Sequence, residues 1–214
     1  SSPIQSGNAN EHGYFDLSFN INTQPFGTKT IEAKGLRYGA KYAYDTFIIL
    51  PYIEITPTSG TVGSSVTVSG NGFDTTELIR INFGSTQSIT QIISTGITNN
   101  SEGEGGTFSC TFTVDSQPLG TRTVNVYGHT MGLTRFQLFT IQPKVTFLTP
   151  TFGTVGTIVT ITGDGYGVSE LIQVDFGNNK TITVCSSNAN GTFSTTFTID
   201  TQRFGTTSIV ATGL

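Results

Sequence analysis

Apolar and polar residues take turns along most of this chain. Val66 and Val68 are separated by Thr67, Ile79 and Ile81 by Arg80, and Ile172 and Val174 by Gln173. Longer runs keep the same period: Phe108, Cys110, Phe112 and Val114; Phe193, Thr195, Phe197 and Ile199; and, near the start, Phe15, Leu17, Phe19 and Ile21. A shorter inward pair follows each run, Val124 with Val126, Ile209 with Ala211, and Ile31 with Ala33. A period of two turns one face of a strand to a core and the other to water. No stretch carries the 3.6-residue period of a helix, so the pattern predicts an all-β fold in which each buried Phe or Ile contributes about 1.5–3 kcal/mol.

The strands come in repeats. Ile55 to Phe73, ITPTSGTVGSSVTVSGNGF, returns 93 positions later at Leu148 to Tyr166 as LTPTFGTVGTIVTITGDGY. Pro57 falls on Pro150, Gly60 on Gly153, Gly63 on Gly156, Val66 on Val159 and Phe73 on Tyr166. Each copy reads as a strand ended by a proline that cannot donate to a ladder, then a tight turn, a half-buried strand and a second glycine turn. Gly60 and Gly63 are expected to take backbone angles that a Cβ forbids. A second block occurs three times: GYFDLSFNINTQPFGTKTIEAKG from Gly13, GTFSCTFTVDSQPLGTRTVNVYG from Gly106 and GTFSTTFTIDTQRFGTTSIVATG from Gly191. After the first two of these come YAYDTFIILP and RFQLFTIQP, apolar strands ending at Pro51 and Pro143.

Aligned on these blocks, residues 1–50 hold only the later strands of a unit, 51–142 a complete unit, and 143–214 a unit without its closing strand. Strand follows strand across Pro51 and Pro143 with almost no linker, which predicts stiffly joined units. Relative to the last unit, the middle one carries eight extra residues between Phe83 and Gly106, including Asn99 to Gly105, read as a surface loop. Two explanations fit the cut ends. Either the chain is a window on a longer repetitive protein, or copies join head to tail with Tyr42 to Leu50 of one, through Tyr42, Tyr44, Phe47 and Ile49, supplying the strand that the last unit of its neighbour lacks.

Composition narrows the class. Charged residues are 11% of the chain against a usual ~25%, and the net charge is −4. Lys and Arg are scattered singly, so nothing offers phosphates the basic patch that nucleic-acid binding needs. No apolar run approaches the ~18 residues of a membrane span. The chain begins Ser1-Ser2-Pro3 without a signal pattern, as a mature product or a fragment does. Of the two cysteines, Cys110 falls on the inward parity of its strand, and Cys185 falls out of step with inward Ile182 and Val184, giving an inert thiol and a surface thiol rather than an intramolecular disulfide.

Material for catalysis is thin. His12 and His129 stand near repeat edges, with no serine elbow or paired carboxylates beside them. Asp164, Glu170 and Asp175, and Asp74 with Glu77, read as solvated turn residues; oxygen ligands suit Ca²⁺, but no loop has the DxDxDG spacing. No catalytic, cofactor-binding or metal residue is assigned. Three sequons, at Asn99, Asn179 and Asn190, fall at expected turns or strand edges where a glycan can stand in water.

Taken in order, Pro-x-x-Gly-x-x-Gly, an alternating strand, Gly-x-Gly-aromatic, Phe-Gly after a third strand and Gly-x-Phe before a fifth, the signals resemble the IPT/TIG family of immunoglobulin-like domains. The resemblance covers nearly the whole chain, and only the second half of the pattern in the first 50 residues. It implies tandem immunoglobulin-like β-sandwiches, one partial and two near-complete, without catalytic residues. Family members occur in surface proteins, receptor ectodomains, transcription factors and secreted glycoside-acting enzymes, and fold does not choose among them. The reading is an extracellular, cell-surface structural protein and no enzyme, a homopolymer or array forming a surface layer (S-layer), filament or adhesin stalk. The alternative is a carbohydrate-binding or spacer module of a larger secreted enzyme or receptor, with Tyr14, Tyr38, Tyr42 and Tyr44 as the only dense group of glycan-stacking candidates, although such tyrosines are expected to pack at junctions.

Overall fold

Strands, and no helix, form all the regular structure of the described residues. The computed structural model describes residues 4–37, 39, 41–84, 91–97 and 106–214, the backbone alone for 91–97. The expected loop at Asn99 to Gly105, Tyr38 and the Asn99 sequon lie outside the described residues.

The longest-range pairing occurs between residues 52 and 142. One sheet joins β3 (Tyr52–Thr56), β5 (Ser65–Asn71) and β8 (Phe108–Thr113) in the order β3-β5-β8. The other joins β4 (Ser59–Thr61), β6 (Leu78–Phe83), β7 (Gln91–Ile97), β9 (Gly120–Gly128) and β10 (Leu133–Gln142) in the order β4-β10-β9-β6-β7. Alternation explains why the two sheets pack in a sandwich-like manner. Val66 and Val68 of β5 and Phe112 of β8 meet Ile79, Ile81 and Phe83 of β6, Val124 and Val126 of β9, and Phe139 and Ile141 of β10, all buried in one core. Phe83 is the hub, 5.1 Å between ring centroids from Phe112 and 5.7 Å, edge-on, from Phe139.

The chain changes sheets at Pro57. β3 runs antiparallel to β5, and β4 then runs parallel to β10, with Ser59 opposite Thr140. A residue without an N–H suits a place where no ladder continues. Gly63 has φ of 86°, as a turn glycine should, but Gly60 does not lie in the left-handed region. Space decides Gly60: a Cβ there would stand 3.0 Å from the Ser64 Oγ and 3.2 Å from the Phe139 ring.

Residues 144–213 repeat the arrangement with fewer strands. β11 (Lys144–Thr149), β12 (Ile158–Asp164) and β15 (Phe193–Thr198) form one sheet, and β13 (Leu171–Phe176), β14 (Asn179–Ser186) and β16 (Ile209–Gly213) the other, in the order β14-β13-β16. Their core, built on Ile161, Ile172, Val174, Phe193 and Phe197, is separate from the first. The register matches as well: Phe176 pairs with Ile209 and Ile172 with Gly213, as Phe83 pairs with Val124 and Ile79 with Gly128. β16 therefore stands where β9 stands. β9 carries β10 on its free side, whereas no described strand pairs with that side of β16. Residues 152–154, the counterpart of β4, form no strand.

Cys185 corrects the sequence reading. It packs against the second core beside Ile182, while Val184 is exposed. The period breaks where the β13 and β14 register shifts between Val174 and Phe176 and Thr181 takes φ of 63°, so parity counted from Ile182 is lost beyond it.

Before residue 51 the structure departs most from expectation. β1 (Gly27–Gly35) and β2 (Lys41–Ile49) form an antiparallel hairpin, and residues 14–22 form no strand. Phe15, Leu17, Phe19, Ile21 and Ile31 are exposed rather than inward. The physical reason is the missing partner. The matching β8 is held by β5 and β15 by β12, and no described strand stands in that place here.

Candidate assembly surface

The same main-chain contact closes both junctions between units. The Leu119 N–H donates to the Tyr166 carbonyl at 2.8 Å, and the Phe26 N–H donates to the Phe73 carbonyl at 3.1 Å. Phe26 and Leu119 are equivalent residues of the Gln-Pro-x-Gly turn, and Phe73 and Tyr166 both end the Gly-x-Gly-aromatic turn. A second point of approach repeats too. Gly72 and Gly165, with φ of 70° and 76°, sit so close to the preceding unit that a Cβ would stand 2.7 Å from the Leu50 carbonyl oxygen and 2.6 Å from that of Gln142. Only glycine satisfies both demands. Pro143 alone separates β10 from β11, so strand continuity and the turn contact grip each junction at two points.

A glutamate shapes each receiving turn. Glu77 is 1% exposed, and its carboxylate accepts the Asp74 N–H at 3.1 Å and the Met131 N–H at 2.8 Å. The equivalent Glu170 accepts the Gly167 N–H at 2.6 Å, while Ser187 donates its hydroxyl to the Gly167 carbonyl at 2.5 Å. Thr76 and Ser169, one residue before the glutamates, both take left-handed φ, 59° and 53°. An N–H drawn out of water needs an acceptor, and here the carboxylate supplies it. Glu77 is thus no solvated turn residue. Gly128 faces it because a Cβ would lie 2.6 Å from its Oε1.

Other candidates are held apart. Asp164 accepts the Thr192 hydroxyl at 2.7 Å. Asp175 accepts the Thr181 N–H at 2.9 Å, with Gln173 and Lys180 also donating, and these bonds hold its carboxyl down at about 2. Among the described residues no three His, Cys, Asp or Glu side chains are grouped as metal ligands. His12 lies exposed 3.6 Å from Glu11, and His129 packs edge-on against Tyr127. Burial raises the Tyr166 hydroxyl above its ordinary range, with the Glu170 charge adding, and that hydroxyl donates to the Ala211 carbonyl. Burial also raises the Cys185 thiol.

Of the sequons, Asn190 is exposed in the turn before β15, whereas the Asn179 amide donates to Asp200 at 3.0 Å. Of the inter-subunit strand residues, all lie on β2 in the hairpin with β1. Tyr42 and Tyr44 stack, with ring centroids 6.2 Å apart and planes within 6°, and the Lys34 ammonium stands 5.3 Å from the Tyr42 centroid. Both tyrosines are exposed rather than packed at a junction.

Sequence reading misses the docking pairs. Their bonds are main chain to main chain, so no side-chain type announces them. The available signal is spacing, because Gln-Pro-x-Gly and Gly-x-Gly-aromatic recur together at the same 93-residue offset. No protein-family model matches the chain, and no curated protein does.

Proposed function

We propose that the chain is an extracellular structural or adhesive protein, a tandem series of immunoglobulin-like, IPT/TIG-type units that associates with copies of itself in a filament, surface layer or stalk. The observation that carries this reading is the junction used twice, Phe26 on Phe73 and Leu119 on Tyr166, since a contact that joins successive units in one way is a contact that can be repeated indefinitely. Sparse charge fits, because little repulsion opposes close packing of like surfaces. Open strand edges and the exposed Asn190 turn suit a glycosylated surface protein. Negative-stain microscopy of the purified chain over a range of concentrations tests the proposal: ordered fibres or lattices are expected, and isolated particles at every concentration contradict it.

A second reading has its own support. Stacked, exposed Tyr42 and Tyr44 with Lys34 beside them form a flat aromatic platform of the kind sugars stack upon. A glycan array separates the readings, since carbohydrate binding predicts saturable signals that Tyr42→Ala and Tyr44→Ala abolish.

A further inference from the structure

The turn between β14 and β15 belongs to the joint between units as well as to the last unit. Gly191, with φ of 74°, lies so close to both sides that a Cβ would stand 2.7 Å from the Pro118 Cα of the middle unit and would run into the Tyr166 carbonyl oxygen. That oxygen is the one that accepts the Leu119 N–H, and the Tyr166 N–H donates back to the Gly191 carbonyl at 3.0 Å. Asn190 therefore stands one residue from the contact that closes the joint. We infer that Asn190 is a glycan acceptor and that its sugar covers the Leu119–Tyr166 bond. The inference rests on the extracellular reading and gives it a modified residue with a structural role.

Geometry separates the two sequons that lie among the described residues. In the first, Asn190-Gly191-Thr192, the Asn188 Oδ1 accepts the main-chain N–H of Asn190 at 2.9 Å and that of Thr192 at 3.0 Å, which fixes the backbone of the turn. The Asn190 side chain is left exposed at its tip, with no hydrogen bond to any described residue. Asn179 differs in each respect. It is half-buried at the start of β14, pairs with Phe176 across the sheet, and donates its side-chain amide to Asp200 at 3.0 Å. An amide held on a carboxylate inside a strand end is not offered for modification.

The chemistry is transfer from an oligosaccharide carried on a lipid phosphate. The Asn190 Nδ2 forms a bond to the anomeric carbon, the bond from that carbon to the phosphate oxygen breaks, and the lipid phosphate leaves as the amide gives up one proton. Thr192, the third residue of the sequon, donates its hydroxyl to Asp164 at 2.7 Å once the turn has formed, which places the transfer before the turn closes. The product then guards the joint. Leu119 is 44% exposed, so the contact lies at the surface, within reach of a bulky, solubilising group on the next turn.

Glycopeptide mass spectrometry of the full-length chain from the cells that make it tests the assignment, with surface labelling of the intact cells run beside it. A sugar mass on the peptide holding Asn190, lost in Asn190→Gln and kept in Asn179→Gln, is expected. A bare Asn190 on a surface-labelled chain, or a sugar on Asn179 alone, overturns the assignment and leaves the extracellular reading standing. A bare chain that the surface label never reaches removes both. Amide exchange tests the cover: Leu119 should exchange about threefold more slowly in the glycosylated chain than in Asn190→Gln, with Ile172 alike in the two. Equal rates at Leu119 overturn the covering role.

Discussion

Leu119 donates its main-chain N–H to the carbonyl of Tyr166, and Phe26 does the same to Phe73 one repeat earlier. Because side chains take no direct part in the bond, Phe can stand for Leu and Tyr for Phe without loss of the joint. What the joint cannot change is its glycines.

Gly165→Ala places a Cβ in the left-handed region and 2.6 Å from the Gln142 carbonyl oxygen. Left-handed backbone alone costs about 1–2 kcal/mol for a residue with a Cβ. The expected result is a junction that opens more readily while both cores stay folded. Amide exchange should quicken at Leu119, whose N–H bonds across the junction, and stay unchanged at Tyr166, whose N–H is held by Gly191, and at Val124 and Ile172.

Glu77→Ala leaves the part-buried N–H groups of Asp74 and Met131 without the carboxylate they donate to. An unsatisfied buried donor costs about 1–3 kcal/mol. The urea midpoint of the middle core should fall accordingly, and an unchanged midpoint would mean that water replaces the carboxylate without loss.

Phe112→Ala empties the space against Phe83 in the middle core. Burial and cavity terms together cost about 3–5 kcal/mol. The last core shares no residue with the middle one, so it should stay folded while the middle core melts. Calorimetry should then show two separated transitions, and one transition shifted as a whole would tie the two cores together.

Much of this was legible in alternation. Val66, Val68, Ile79 and Val124 sit in the core because a period of two leaves them no other face. Alternation does not supply a partner strand, and so Phe15 to Ile21 keep the pattern without forming a strand. Nor does it survive an irregularity, which is why Val184 and Cys185 exchange faces past Thr181. Glu77 was illegible for another reason. A carboxylate belongs in water by default, and only the fold brings it the N–H groups of two separate turns, at Asp74 and at Met131.

Asp175 gives the last unit an acid dependence. The Thr181 N–H, then Gln173 and Lys180, hold its carboxyl at about 2 against an ordinary 3.8. A carboxyl with a lowered pKa in the folded state contributes stability that is full above the ordinary value and is lost as pH falls through the folded value. Urea unfolding between about pH 4 and pH 2 should show that loss in the last unit, and Asp175→Asn should remove this part of it. Because Lys180 is exposed and not the leading cause, salt should change the effect little.

The account turns on whether copies of this chain join as its own units do. Negative-stain imaging of the full-length protein over a range of concentrations measures that directly. Ordered fibres or lattices are the predicted result. Isolated particles at every concentration would contradict it.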